Sequence, residues 1–185
     1  MFDLRKRLFF FLPMVVAALL QHTIHEATHY VTALLMNEEV LEFRFMTNGF
    51  LTSQVIYATP VEARSGPHWL LIAWSPAVVT VAIGLVLFLT RRRWLTRYPM
   101  LNAGLWFATA YFLVVDPFYY AVLAPFFGAG DVGAADAVGW PRWPVHLTAG
   151  LICVGTGYLV YRLKQESNRE PERYLPPRRT EVTAG

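Results

Sequence analysis

Long apolar stretches, separated by short polar or basic ones, dominate this chain. Four are long enough to cross the roughly 30 Å hydrocarbon core of a bilayer, which takes about 20 mostly apolar residues in a helix. They run over about 8–36, 68–90, 100–127 and 145–163. The pattern predicts an all-α polytopic membrane protein with about four transmembrane helices. The first and third stretches exceed a simple crossing, so tilt, a kink or a protruding end is expected. Pro13, Pro76, Pro117 and Pro125 are the kink or boundary positions, because proline has no backbone N–H. Between the first two spans, VLEFRFM and LTSQVIYA alternate loosely between apolar and polar residues, with Thr47-Asn48-Gly49 between them. This predicts a small β-hairpin with an Asn-Gly turn. Such a hairpin either caps the bundle at the membrane surface or offers an edge to an extended substrate.

Composition sharpens the membrane reading. Only 16% of the 185 residues are charged, against about 25% in soluble domains. The net charge of +3 does not point to nucleic acid, because the basic residues lie at the ends of the apolar blocks. Thirteen Lys and Arg fall in the N-terminus, the 91–99 loop and the segment from Arg162 onward; the other two loops hold only Arg44, Arg64 and Arg142. Basic residues collect on the cytoplasmic side, so both termini are expected there, in what reads as a bacterial inner (plasma) membrane. Arg5, Lys6 and Arg7 before an apolar run could suggest a signal peptide. The run outlasts a signal's apolar region and no small-x-small site comes after it, so it reads as a retained first span. Residues 1–164 form the expected transmembrane domain. Residues 165–185, rich in charge and proline, read as a disordered cytoplasmic tail. The single Cys153 excludes an internal disulfide and a cysteine-based zinc site.

The chemistry sits in the first span, at His25-Glu26-Ala27-Thr28-His29. Two histidines four apart share one helix face and can reach one metal ion, with Glu26 on the adjoining face. Two neutral imidazoles hold Zn²⁺, the metal lowers the pKa of a bound water toward about 7, and the glutamate serves as general base. A carboxylate in an apolar span is costly and usually functional. The bland alternative is a polar helix end whose groups pair with the rest of the bundle. His22 lies about two turns along the helix from His29, which makes it a supporting or interfacial residue rather than a ligand.

A catalytic zinc needs a third protein ligand. Asp131 and Asp116 are the carboxylates near the right depth, with Asp136 and His146 as outsiders. Asp116 lies sixteen residues past Met100, and His25 seventeen past Leu8. If both helices start on one side, the two residues share a depth. Asp131 comes after Gly128-Ala129-Gly130, where glycines let the backbone bend inward. Elsewhere, Trp69, Trp74, Trp94, Trp140 and Trp143 read as aromatic belts. Gly150, Gly155 and Gly157 read as sites of close helix packing.

With these residues in view, the chain resembles the site-2 protease type of intramembrane zinc metalloprotease, specifically its small bacterial relatives. HEATHYVTALLMNEEV is similar to the family's first motif. SGPHWLLIAWSPAVVTVAIG resembles the next family span, with Ser75-Pro76 where Gly-Pro is usual, and GAGDVGAAD resembles the later aspartate motif that supplies the third ligand. The likeness covers roughly residues 20 to 140. The chain departs from the family in lacking the Asn-Pro-containing Asp-Gly motif of larger members. It also has Val132 after the aspartate, where a glycine or tryptophan is expected. Many members face their site toward the cytoplasm, whereas the charge pattern here puts it nearer the outer side.

The resemblance implies a zinc-dependent endopeptidase that cleaves a membrane-protein substrate within the bilayer. One Zn²⁺ per chain would be held by His25, His29 and Asp131, or by Asp116 as the alternative third ligand, and Glu26 would be catalytic. The competing reading is a catalytically inactive membrane scaffold of the same fold. A lipid-modifying di-metal enzyme would need further histidine boxes, and His68 and His146 are isolated. A transporter finds no internal repeat to support it.

Overall fold

The computed structural model describes residues 4–44, 53–127 and 130–174. Four helices among them are long and apolar enough to cross a membrane: 8–35 within α1 (Leu4–Leu35), α2 (His68–Trp94), Pro99–Phe126 beginning with α3 (Pro99–Phe118), and α5 (Trp143–Arg169). Strands β1 (Val40–Arg44) and β2 (Gln54–Tyr57) form a two-stranded antiparallel sheet between α1 and α2. The architecture is thus the expected helical bundle with one small hairpin. The pairing Val40↔Tyr57 then Glu42↔Ile56 skips Leu41, an irregularity in the register. The predicted turn at Thr47-Asn48-Gly49 lies outside the described residues, as do residues 175–185 of the expected tail. Residues 165–169 continue α5, and a 3₁₀ turn, Pro171–Arg173, comes next.

Helix α3 is the hub, packing on α1, α2 and α5. It runs parallel to α1: Pro13 faces Gly104 near their starts, Ala17 packs with Ala108 and Phe112, and His25 meets Asp116 farther along. Helix α2 returns between them. Large apolar side chains such as Leu20, Val31, Val78, Leu89, Leu151 and Val154 point outward, as lipid-facing residues must. Where α2 meets α3, Gly84 is buried, and a Cβ there would lie 2.9 Å from both the backbone N and Cγ of Leu113. Close helix packing therefore rests on Gly84. Gly155 and Gly157, expected in that role, have nothing within 4 Å, and Gly150 reaches only Ala121 Cβ at 4.0 Å.

The ends of the bundle differ in character. At one end Arg91 binds the Glu166 carboxylate, joining α2 to α5, and Asn102 Nδ2 donates to the Arg173 carbonyl at 2.7 Å. A small groove opens there, lined by Leu87, Arg91, Asn102, Trp106 and Tyr174 among others. At the other end the hairpin docks through Val40 and Tyr57 on a core of Ala33, Trp69 and Ile72. Arg64 lies over the rings of Tyr57 and Trp69.

Proline shapes this second end. Pro76 and Pro117 lie inside α2 and α3. The third span is not one continuous α-helix: after α3 the chain makes a π turn, Tyr119–Leu123, then the short α4 (Ala124–Phe127). In that turn the Ala124 N–H bonds the Tyr119 carbonyl, five residues back. The next residue, Pro125, has no N–H, which leaves the Tyr120 carbonyl without a helical donor. A 3₁₀ segment, Asp131–Val138, then folds back against α2, where Gly66 N donates to the Ala137 carbonyl at 3.1 Å.

Candidate metal centre

His25 and His29 project from the second half of α1, one turn apart, with ring centroids 5.0 Å from each other. Both face the 3₁₀ segment, which places Asp131 between them. His29 Nε2 lies 3.2 Å from Asp131 Oδ1, and His25 Nε2 lies 3.5 Å from Asp131 Oδ2. Ligand atoms of the three residues lie within 4.8 Å of one another. Glycine makes this presentation possible. Gly130 has φ +84° and ψ −153°, a region essentially closed to residues with a Cβ. It turns the chain so that Asp131 enters the bundle.

Behind each histidine lies an oxygen. His29 Nδ1 donates to the Ile72 carbonyl at 2.8 Å. That carbonyl is available because its helical partner four residues on is Pro76, which has no N–H. The proline thus creates an acceptor in the bilayer interior, and the imidazole fills it. His25 Nδ1 lies 3.1 Å from Asp116 Oδ1, and Asp116 is 5% exposed. Gln21 Nε2 donates to Asp116 Oδ1 at 3.2 Å, and the Thr80 hydroxyl donates to Oδ2. The chain therefore gives the two carboxylates different posts: Asp131 faces the Nε2 atoms of both histidines, and Asp116 stands behind His25. Asp116, the alternative third ligand, falls outside the group of three converging residues.

Asp131 is anchored twice more. Trp74 Nε1 donates to its backbone carbonyl at 3.0 Å, and Tyr120 Oη donates to its Oδ2 at 2.9 Å. Burial pushes the Asp131 carboxyl upward in pKa, but the two imidazoles facing it outweigh burial and hold the group well below the usual carboxylate range. Glu26 is 8% exposed, and its carboxyl lies in the field of His25, His29, Asp131 and Asp116. His22 turns elsewhere, with Nε2 2.9 Å from Ser53 Oγ at the start of the hairpin's second half. His146 reaches the orphaned Tyr120 carbonyl, its Nδ1 donating at 2.7 Å. Asp136 pairs with Arg142 at the surface.

The donor set fits a metal ion. Because Nδ1 of His29 donates to a carbonyl, which only accepts, a neutral ring leaves a lone pair on Nε2. That lone pair faces a carboxylate oxygen at 3.2 Å, an arrangement that needs a cation between them, either a proton or a metal. A tetrahedron with arms of about 2.05 Å has edges of about 3.3 Å, close to the 3.2 Å between His29 Nε2 and Asp131 Oδ1. Nitrogen and carboxylate ligands with imidazoles oriented from behind suit zinc.

Tyr120, Trp74, Gln21 and Thr80 are the site residues that sequence reasoning missed; Trp74 reads there only as an interfacial aromatic. The available signals were the prolines. Pro76 sits four residues after Ile72, which in a helix marks a carbonyl open to a side-chain donor; Pro125 does the same for Tyr120 only because the π turn shifts the pairing by one residue. No protein-family model, curated protein or solved structure matches the chain.

Proposed function

We propose that this chain is a membrane-embedded zinc endopeptidase of the site-2 protease type, hydrolysing a peptide bond in a membrane-protein substrate. The observation that carries the proposal is the convergence of His25, His29 and the Asp131 carboxylate, with His29 held from behind by the Ile72 carbonyl and Asp116 3.1 Å from His25 Nδ1. His25, His29 and Asp131 would hold one Zn²⁺. Bound there, zinc supplies a Lewis acid and lowers the pKa of an attacking water. Glu26, on the adjoining face of α1, is the base that takes the water's proton and returns it to the departing amine nitrogen. Asp116, Gln21 and Thr80 keep His25 oriented, and Ile72 does the same for His29. The substrate must unwind locally, because a helical backbone keeps its carbonyls engaged.

The concentration of thirteen of sixteen basic residues in three segments supports cytoplasmic termini in a bacterial inner membrane and a site toward the outer side. The test is direct. Purified protein is expected to carry about one zinc per chain, and His25→Ala to lose it. Glu26→Gln is expected to keep the metal and lose proteolysis of a reconstituted transmembrane substrate. Wild-type protein that binds no zinc would overturn the proposal. The second reading, a non-catalytic scaffold, draws on the direct pairing of Asp131 with both histidines, which by itself knits α1 to the 3₁₀ segment. A Glu26→Gln variant indistinguishable from wild type in cells would favour it.

A further inference from the structure

Tyr120 is 5% exposed and packs with Ala124, Val132 and Ala149, a deep position for a phenol. Its hydroxyl has one proton and two acceptors in range: Asp131 Oδ2 at 2.9 Å and the Ala73 carbonyl at 3.3 Å. The shorter, charge-assisted contact takes the proton. This engages the oxygen of Asp131 that lies farther from its histidine (3.5 Å from His25 Nε2) and leaves Oδ1, 3.2 Å from His29 Nε2, as the oxygen free to bind. A carboxylate held this way binds through one oxygen. Ions that favour four ligands, such as Zn²⁺ and Co²⁺, accept that, whereas Ca²⁺ takes six to eight oxygens and often both oxygens of a carboxylate.

The position of Tyr120 is itself constructed. In an unbroken α-helix each residue is rotated about 100° from the last. A π turn inserts extra backbone and re-aims the side chains beyond it, often at functional sites. Here the π turn Tyr119–Leu123, closed by Pro125, strands the Tyr120 carbonyl. His146, one turn into α5, satisfies it at 2.7 Å. The same residue thus receives a hydrogen bond on its backbone from α5 and gives one to Asp131 through its side chain.

Resting on the zinc reading above, we propose that Tyr120 is a positioning residue that selects the metal: it occupies Asp131 Oδ2, enforces binding through Oδ1 and so favours a four-coordinate ion, with His146 holding the π turn that aims it. Co²⁺ titration of the metal-free protein in detergent tests this, because four-coordinate Co²⁺ gives intense visible bands and higher coordination gives weak ones. Tyr120→Phe keeps the ring, and its metal-free melting temperature, lowered by the loss of one hydrogen bond, measures the structural cost separately from the metal effect. Its Co²⁺ dissociation constant should rise about 10–100-fold, the band intensity should fall, and Ca²⁺ should compete better. His146→Leu should shift the same quantities in the same direction, and His146→Gln, which retains an N–H, should restore them. Wild-type protein that binds no Co²⁺ would overturn the metal reading itself. Wild type that binds while Tyr120→Phe shows an unchanged constant and spectrum would overturn the role of Tyr120 alone. A His146→Leu variant identical to wild type would remove α5 from the device.

Discussion

Replacing Gly84 with alanine tests the packing that holds the site. A Cβ at Gly84 would lie 2.9 Å from the Leu113 backbone N and from its Cγ. Ordinary carbon contacts begin near 3.5 Å, and the backbone atom cannot swing aside, so α2 and α3 must part by about 0.5 Å. Thr80 stands one turn before Gly84, and Asp116 one turn after Leu113. The hydroxyl–carboxylate hydrogen bond between them crosses the same interface and is stretched with it. Overpacking costs about 1–3 kcal/mol, and a lost interhelical hydrogen bond in a bilayer about 0.6 kcal/mol. Alanine's better helix propensity returns about 0.5–1 kcal/mol. The net loss is about 1–3 kcal/mol, a fall in melting temperature of roughly 2–12 °C for a chain of this length. Gly155→Ala is the control, since nothing lies within 4 Å of its added Cβ; it should melt at or slightly above wild type. Thermal unfolding of both variants in one detergent decides the matter. A Gly84→Ala protein melting at or above wild type would refute the reasoning, as would equal falls in the two variants.

Two further substitutions separate stability from the centre. Pro76→Ala restores an N–H that competes with His29 for the Ile72 carbonyl. Its metal-free melting temperature should hold or rise, while zinc affinity falls about tenfold in chelator competition. Gly130→Ala forces a Cβ onto a backbone at φ +84°, with Tyr119 Oη 3.2 Å away. It should cost about 1–3 kcal/mol and, by displacing Asp131, weaken zinc at least tenfold by the same assay.

Much of this fold was legible in the chain. Four apolar stretches and a loosely alternating segment account for the bundle and its hairpin, because in lipid a spanning segment must satisfy its own backbone. The histidine face was legible too, since four residues make nearly one turn. The matched depths of His25 and Asp116 also came from counting, and the two side chains do meet. Counting could not tell which nitrogen of His25 each aspartate would face. That depends on the path of the chain through Gly130, and a glycine permits a turn without specifying its direction. Tyr120 escaped for a related reason. Helical periodicity assigns side-chain directions only while the helix is regular, and the π turn resets them. The glycines of α5 misled because small residues mark close packing only where a second helix arrives, and α5 turns Gly155 and Gly157 outward.

The two stranded carbonyls, Ile72 and Tyr120, also bear on how the chain assembles. A single span entering the bilayer with either one carries an acceptor without a close donor, and no lipid tail can supply one. Within α2 the Ser75 hydroxyl reaches the Ile72 carbonyl at 3.5 Å; the close donors arrive when α1 brings His29 toward α2 and α5 brings His146 toward the π turn. Rotating either helix on its axis removes the close donor. Between helices whose apolar surfaces are nearly interchangeable, the two prolines therefore act as keyways that admit one azimuth. Selection for a bundle that assembles in a single register would retain them even where catalysis had been lost.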